Sequence, residues 1–392
     1  MNSTRKMAVL ALGLLASVAC NNSTNLPPAP APPKQIGTSV SYTKTVNSKG
    51  ETTGLPSNEV YSFLTISTGE FWVGTNAGVA RFANINTNTL GPGDIVNEIS
   101  GLPHPEVRCM AEYSGRVFVG TWGGGIGVYN IANNSWAQIR PGTTGLVDGF
   151  ISGMAVSPDE DRIYFSTNNG VSIYDPTAHT FKHFTTEDPF LLAIPDELLT
   201  DAQRTVLVLE RLVSSVAISE DSGVIERWYG PRIESTIDAG LLAYVGIVVS
   251  KDSLSVNDPV VSYRNSTVNS GLADANVDDI FYDTATKTFW VSYVTRGVAQ
   301  VSVADKTWKN YGLPQGLPSN TVYSVTRASN GAGGTTMWAA TQGGLAKLVN
   351  DHWESYGKSG GLPSDRVRRV YSDDGLHLWA GFVDRGAVKI KI

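Results

Sequence analysis

Short segments in which apolar and polar residues alternate run along most of the chain, and clusters of turn residues separate them. Alternation with a period of two is typical of a half-buried β-strand. The segments recur in a fixed order, in which a second strand carries an aromatic residue and a glycine turn follows it. The second strands include FWVGT, VFVGT, IYFST, FWVSY, MWAAT and LWAGF. The pattern predicts an all-β protein built from four-stranded sheets.

Each unit begins with a glycine, and most continue as Gly-Leu-Pro. These glycines are Gly54, Gly101, Gly145, Gly271, Gly316 and Gly361. Their spacing is 44 to 47 residues, except for one interval of 126 residues after Gly145. A period of about 45 residues is typical of propeller blades, each of which buries its faces only against its neighbours. The repeat therefore predicts a β-propeller.

The long interval is predicted to hold a degenerate blade and an insertion. VSSVAIS at 213–219 matches the first strand of the other units, Trp228 matches the second strand, and AGLLAYV at 239–245 matches the third. This blade brings the count to seven. DELLTDAQRTVLVLERL at 196–212 replaces a short turn, and its apolar stripe predicts a partly helical insertion around 190–212. The insertion is either a lid or partner-docking element, or filler against a poorly matched blade.

The last unit stops at Ile392 after three strands, and VSYTKTV at 40–46 lies where a fourth strand would precede the first Gly-Leu turn. We predict that this N-terminal strand completes the last blade, because closing the ring removes an exposed sheet edge. The GLPS turn itself is predicted to be architectural. Glycine permits unusual backbone angles, leucine lies under the blade, proline stiffens the turn, and the polar residue caps it.

The N-terminus is typical of an exported bacterial lipoprotein. Arg5 and Lys6 precede an apolar run at 7–19, which is too short to span a bilayer and has the length of a signal sequence. Small residues then lead to Cys20, the predicted lipidation site. The predicted segments are a signal peptide at 1–19, a Pro-rich tether at 20–37, and a propeller at 38–392 with its degenerate blade at about 190–270. We expect export and lipid anchoring in the cell envelope, at the outer membrane or in the periplasm; plain secretion is the alternative.

Composition narrows the function further. The 392 residues are 41% hydrophobic and 17% charged, with a formal net charge of −6, so the chain can bury a core and lacks the basic excess typical of nucleic-acid binding. Its two cysteines indicate neither a disulfide framework nor a zinc site. We expect no cofactor, no metal, and no membrane contact apart from the lipid anchor.

Two linked motifs carry a family resemblance. GLPS-x-x-V-x-S-V, followed by W-[AV]-[AG]-T-x-x-G-[LV]-x-[KR], resembles the two-component regulator propeller repeat over about residues 40–392. In that family the repeats form periplasmic sensor regions of hybrid histidine kinases, commonly in systems that respond to polysaccharides. The resemblance implies a sensor-type propeller. This sequence departs from the family because no transmembrane, kinase or DNA-binding module is recognisable in it.

The Gly-Leu turns and the turns between second and third strands share one face, around the central channel, where ring-shaped folds bind ligands. We predict that a glycan or another polar ligand binds there. The candidate residues are Asn58, Glu59, His104, Glu106, Trp122, Asp148, Asn276, Arg296, Asn320, Gln342, Arg366 and Arg385. Trp122 lies between turn residues in TWGGGIG, where it either offers a flat face to a sugar or packs back onto its own blade.

Two other functions compete with this recognition hypothesis. The propeller is a docking scaffold for another envelope protein if the inserted region at 190–265 binds a partner. It is a metal-assisted lyase or hydrolase if His104 and Glu106, in GLPHPE, act as a base and an acid. We expect no enzyme activity, since no second histidine, nucleophile elbow or calcium loop accompanies that pair.

Overall fold

The computed structural model describes residues 32–85, 94–142, 144–184, 213–221, 224–231, 246–250, 260–264, 273–274, 276–330, 332–372 and 376–392. These residues form seven four-stranded antiparallel sheets, which we number by the order of their first strands. Among them no α-helix occurs, and no helix is long and apolar enough to cross a membrane. Two single 3-10 turns lie at Leu313–Gln315 and Lys358–Gly360.

The first four sheets follow the chain order. Sheet 1 contains β2 (Val60–Thr65), β3 (Phe71–Thr75), β4 (Gly78–Phe82) and β5 (Ile95–Val96). Sheet 2 contains β6 (Val107–Tyr113), β7 (Arg116–Thr121), β8 (Ile126–Asn130) and β9 (Ser135–Ile139). Sheet 3 contains β10 (Ile151–Ser157), β11 (Arg162–Thr167), β12 (Gly170–Asp175) and β13 (Thr180–Phe184). Sheet 4 contains β14 (Val213–Asp221), β15 (Val224–Pro231), β16 (Gly246–Ser250) and β17 (Val260–Arg264).

The last three sheets include the N-terminal strand. Sheet 5 contains β18 (Val277–Asp283), β19 (Thr288–Tyr293), β20 (Val298–Ser302) and β21 (Trp308–Tyr311). Sheet 6 contains β22 (Val322–Ser329), β23 (Thr335–Thr341), β24 (Gly344–Val349) and β25 (His352–Tyr356). Sheet 7 contains β26 (Val367–Tyr371), β27 (His377–Phe382), β28 (Ala387–Lys391) and β1 (Ser39–Tyr42). In it β1 pairs antiparallel with β28, so that Ser39 lies opposite Ile390 and Tyr42 opposite Ala387.

The first strand of each sheet contacts the first strands of the next sheet and of the previous one, and β26 of sheet 7 contacts β2 of sheet 1. The first strands therefore lie at the centre, and the other three strands follow outwards in chain order, except that β1 is the outermost strand of sheet 7. This arrangement is an all-β propeller, as the sequence predicts.

Aromatic side chains on the second strands fill the spaces between sheets. Trp72, Trp290, Trp338 and Trp379 are at most 4% exposed, in agreement with the structural role predicted for them. The Trp379 ring lies 4.5 Å from the Phe71 ring of sheet 1 and 4.8 Å from the ring of Tyr42. Packing across the junction of sheets 7 and 1 therefore involves the N-terminal strand directly.

Sheet 4 corrects one detail of the sequence analysis. Its first and second strands match the prediction, but its third strand is β16 at Gly246–Ser250, and residues 239–245 lie outside the described residues. Buried apolar residues alone do not distinguish two candidate strands that lie a few positions apart. The predicted partly helical insertion around 190–212 also lies outside the described residues.

Candidate functional site

The Gly-Leu turns are built as the sequence predicts. The five leucines of these turns that the structure describes are at most 3% exposed, and Gly316 has φ +91°, where an added Cβ would lie 2.2 Å from the Trp353 carbonyl oxygen. At the fourth position of six turns, a side-chain acceptor receives the backbone N–H two residues later. These acceptors are Ser57, His104, Asp148, Asp274, Ser319 and Ser364. The turn therefore fixes the start of the first strand.

A β-bulge then interrupts every first strand immediately after its first residue. The register of the first strand against the second shifts at the same place in all seven described sheets, as at Val60/Ser62 in sheet 1. A bulge leaves one residue unpaired and redirects its side chain. The seven bulge residues are Tyr61, Arg108, Ser152, Ser214, Asp278, Tyr323 and Arg368. We call them the bulge ring.

All seven members of the bulge ring line one cavity of about 500 Å³ in the central channel. This volume lies in the range of roughly 300–1,000 Å³ typical of small-molecule sites. The bulges come directly after the Gly-Leu turns, so the ring lies at the end of the channel that carries those turns. The repeated backbone thus presents one variable side chain per sheet to a shared space.

Aromatic and arginine side chains alternate along one side of this cavity. The Arg368 guanidinium lies 5.5 Å from the centre of the Tyr323 ring and 4.9 Å from that of Tyr61. The Arg108 guanidinium lies 4.1 Å from the Tyr61 ring centre and 4.7 Å from that of Trp122. Each contact has the geometry of a cation–π interaction. We call these five side chains the arc: Tyr323, Arg368, Tyr61, Arg108 and Trp122.

The turns beside the arc hold its members in place. Glu106 forms an ion pair with Arg108, and Glu59 accepts a hydrogen bond of 2.5 Å from the Tyr61 hydroxyl. The Trp122 backbone N–H donates to the Glu106 carbonyl at 2.9 Å. The Nε of Arg108 is buried and has no hydrogen-bond partner among the described residues. The two glutamates therefore bind Arg108 and Tyr61 and restrict the positions of their side chains.

An ion pair crosses the channel next to the arc. Arg369 Nη1 donates to Asp279 Oδ2 at 2.7 Å, and these residues belong to sheets 7 and 5, which sheet 6 separates. Ser215 Oγ donates to the other Asp279 oxygen at 3.0 Å. Both charges are therefore satisfied within the protein, although both residues line the cavity.

Two titratable groups of the cavity are held neutral. Burial, and after it the hydrogen bond to Glu59, raises the pKa of the Tyr61 hydroxyl well above its usual value of about 10. Burial raises the pKa of the Cys109 thiol to about 12. Tyr61 therefore stays a phenol and Cys109 an unreactive thiol at neutral pH.

Of the twelve predicted site residues, Trp122 lines the cavity itself. Its contacts join two units, and its stacking on a sugar stays a prediction. Its ring contacts Phe150 edge-on at 5.3 Å, in the turn that leads into sheet 3, and also lies against Arg108 within the arc. Glu59 and Glu106 contact members of the arc, so the structure brings these three predicted residues together with the cavity.

The remaining candidates lie around the rim. Asn58 and Asn320 each accept a backbone N–H of the preceding loop, at 2.7 Å from Lys44 and 3.1 Å from Leu313. The side chains of His104 and Asp148 cap their own turns, and the Asn276 backbone N–H donates to the capping side chain of Asp274. Four further side chains are exposed and do not line the cavity: Arg296, Gln342, Arg366 and Arg385. Their role in ligand binding stays a prediction.

Sequence reasoning missed the bulge ring, which supplies most of the polar lining. A signal for it exists, because the position after the first strand's initial Val or Ile holds Tyr, Arg, Ser, Ser, Asp, Tyr and Arg in the seven units. A strand position that is never aliphatic and varies in charge is unusual in an otherwise apolar segment. Recognising it requires the bulge, which strict alternation does not predict.

The proposed catalytic pair has other partners. His104 Nδ1 accepts the Glu106 backbone N–H at 3.3 Å, and the Glu106 carboxylate binds Arg108. No group of three or more His, Cys, Asp or Glu residues within metal-binding reach occurs among the described residues. The geometry therefore gives these two side chains a supporting position in the turn.

Comparison with solved structures gives the same fold class. The chain is similar to the extracellular domain of a protein assigned as a hybrid two-component system of B. thetaiotaomicron, with a TM-score of 0.61, 17% identity, and coverage of 85% of this chain and 40% of that one. It is also similar to PorZ of Porphyromonas gingivalis, a surface component of the type-IX secretion system, with a TM-score of 0.58, 14% identity, and coverage of 86% and 47%.

A third neighbour is YCF48, solved with a D1 peptide, with a TM-score of 0.55, 12% identity, and coverage of 93% of this chain and 97% of that one. The chain spans less than half the length of the first two neighbours. No protein-family model and no curated protein matches the sequence. The neighbours confirm the propeller resemblance noted in the sequence, and at these identities they show the fold alone.

Proposed function

We propose that this protein is an extracytoplasmic recognition protein, of the sensor type, that binds a glycan or another polar ligand at the mouth of its central channel. The arc carries this proposal. Three aromatic rings and two guanidinium groups line one side of a 500 Å³ cavity, and the turn residues behind them hold them in place. Flat aromatic faces beside polar donors are the features with which a protein holds the apolar face and the hydroxyl groups of a sugar.

The cell-envelope setting rests on the N-terminal sequence. A signal sequence, Cys20 as a lipidation site and a Pro-rich tether would place the propeller outside the cytoplasm. We further propose that the seven sheets act as the seven blades of one closed ring. The pairing of β1 with β28 and the contact of β26 with β2 support it, because they join the two ends of the chain.

Ligand-dependent thermal unfolding tests the proposal. A panel of neutral and charged mono- and oligosaccharides is added to the protein without its signal sequence, and the melting temperature is recorded. At a ligand concentration of about 100 Kd, binding to the folded state adds about 2.7 kcal/mol of stability. We expect at least one saccharide to raise the melting temperature, and Trp122→Ala to remove that shift. A panel without any shift would contradict the proposal.

A further inference from the structure

The charges of the three channel arginines are balanced differently. Arg108 pairs with Glu106 and Arg369 pairs with Asp279. Arg368 contacts the rings of Tyr61 and Tyr323, and no carboxylate lies within ion-pair distance of it among the described residues. One positive charge of the cavity wall therefore remains without an anionic partner.

The setting of Arg368 suits a ligand group better than a solvated position would. A guanidinium that lies against an aromatic face keeps its N–H donors in its own plane, where they match the two oxygens of a carboxylate or a sulfate. Its two aromatic contacts also restrict the side chain, so less conformational entropy is lost when a ligand binds.

The rest of the cavity limits how much negative charge a ligand carries. Its lining holds three arginines and two aspartates, and Glu106 pairs with Arg108, so the site has no excess of positive charge for a second anionic group. The aromatic members of the arc favour a ligand with an apolar face next to its charged group. An acidic saccharide, with its carboxylate or sulfate towards Arg368 and its ring against the arc, satisfies both conditions.

We infer that this channel selects saccharides that carry one acidic group on the bound sugar, and that Arg368 binds that group. The inference rests on the proposed function, because it names the ligand class of the same site. It assigns specificity to a residue that lies in the first strand, outside the turns in which the sequence analysis placed the site.

Matched sugars test the inference by isothermal titration calorimetry. The pairs are D-glucuronic acid with D-glucose, D-galacturonic acid with D-galactose, and cellobiouronic acid with cellobiose, which differ only at the carboxylate. We expect at least one acid to bind about 10-fold tighter than its neutral partner, as for a charge-assisted contact. The preference should fall when NaCl is raised from about 50 mM to about 500 mM, since part of the cavity is open to solvent.

Variants then assign the preference to one residue. Arg368→Gln should bring the ratio of acid to neutral affinity close to 1, and Arg368→Lys should keep part of it because the charge remains. Arg140→Gln is the control, since Arg140 is an exposed arginine outside the cavity and its loss changes the net charge equally. Circular dichroism and the melting temperature show whether each variant is folded.

The outcomes separate this inference from the proposed function. If neutral sugars bind as tightly as their acids, or if Arg368→Gln keeps the preference, the inference is wrong and saccharide recognition at the channel stands. If no acid binds but a neutral member of the wider panel raises the melting temperature, the inference is again wrong and the proposed function stands. If nothing in either panel binds, both fail.

Discussion

The two sides of the channel share one backbone and use it differently. On the side of sheets 6, 7, 1 and 2, the bulge residues are large and form the arc with Trp122. On the side of sheets 3 and 4 they are serines, and each donates to the neighbouring first strand: Ser152 to the Val213 carbonyl at 2.6 Å, and Ser214 to the Val277 carbonyl at 2.5 Å. All these residues line the cavity, but the serines also join neighbouring sheets, whereas the large side chains on the other side form the arc.

The contacts between neighbouring sheets also differ around the channel. Aromatic packing lies between sheets 7 and 1 and also between sheets 4 and 5, where the Trp228 and Phe289 ring centres are 4.3 Å apart. Sheet 4 adds an ion pair to each of its neighbours. Arg227 binds Glu160 of sheet 3, and Glu226 binds Lys306 of sheet 5 at 2.5 Å. The unit that matches the repeat least well in sequence thus has specific charged contacts in addition to the packing of its buried Trp228.

Glu160→Gln should have the largest effect on stability. The Arg227 side chain is 3% exposed, so the substitution weakens a buried charge-assisted contact between sheets 3 and 4, at a cost of about 1.5–3 kcal/mol. Glu70→Gln is the matched control in sheet 1, where Arg81 and Glu70 are 21% and 31% exposed; it should cost no more than about 1 kcal/mol. Urea unfolding of both variants measures the difference. Equal losses would show that the ion pair between sheets 3 and 4 contributes no more than an ion pair within sheet 1.

The same ion pair predicts a pH dependence. Burial of Glu160 acts to raise the pKa of its carboxyl, but hydrogen bonds from Arg227 and Tyr164 outweigh burial and hold that pKa below its usual value. The stability that Glu160 contributes is therefore present at neutral pH and lost as the pH falls from about 4.3 through the folded-state pKa. Glu160→Gln should be less sensitive to acid over this range, as followed by circular dichroism. An unchanged acid profile would contradict the assignment.

Replacing one bulge residue of each kind with alanine separates ligand binding from stability. Tyr61→Ala removes the ring that both arc arginines contact, so the affinity of any saccharide that binds wild type should fall at least about 10-fold. Ser214→Ala instead leaves the Val277 carbonyl without this donor and should lower the free energy of unfolding by about 1–3 kcal/mol, with affinity nearly unchanged. Calorimetry and urea unfolding measure both quantities. A Ser214→Ala variant that binds as poorly as Tyr61→Ala would remove the distinction.

Most of the fold can be predicted from the sequence because the same pattern occurs in several units. Glycine spacing, strand alternation and the small residues that end second strands recur, so errors in one unit are corrected by the others. The site does not follow in this way. It depends on side chains that differ among units, and on a bulge that moves Tyr61 and Arg368 into the channel. The turn residues could be located from the sequence because each follows a Gly-Leu motif. The bulge ring could be located only from the hydrogen-bond register of the strands.

Substitution of His104 should have the smallest effect on stability, and it tests the enzyme alternative directly. Its Nδ1 occupies the place that the Ser57, Ser319 and Ser364 hydroxyls occupy in other turns, so His104→Ala should lose one backbone hydrogen bond, about 0.5–1.5 kcal/mol. His104→Ser should restore that stability, because serine caps the equivalent turns. A catalytic histidine would behave otherwise: serine would restore the fold and leave any lyase or hydrolase activity lost. Urea unfolding of both variants, together with an activity screen on the saccharide panel, decides between a turn cap and an acid–base residue.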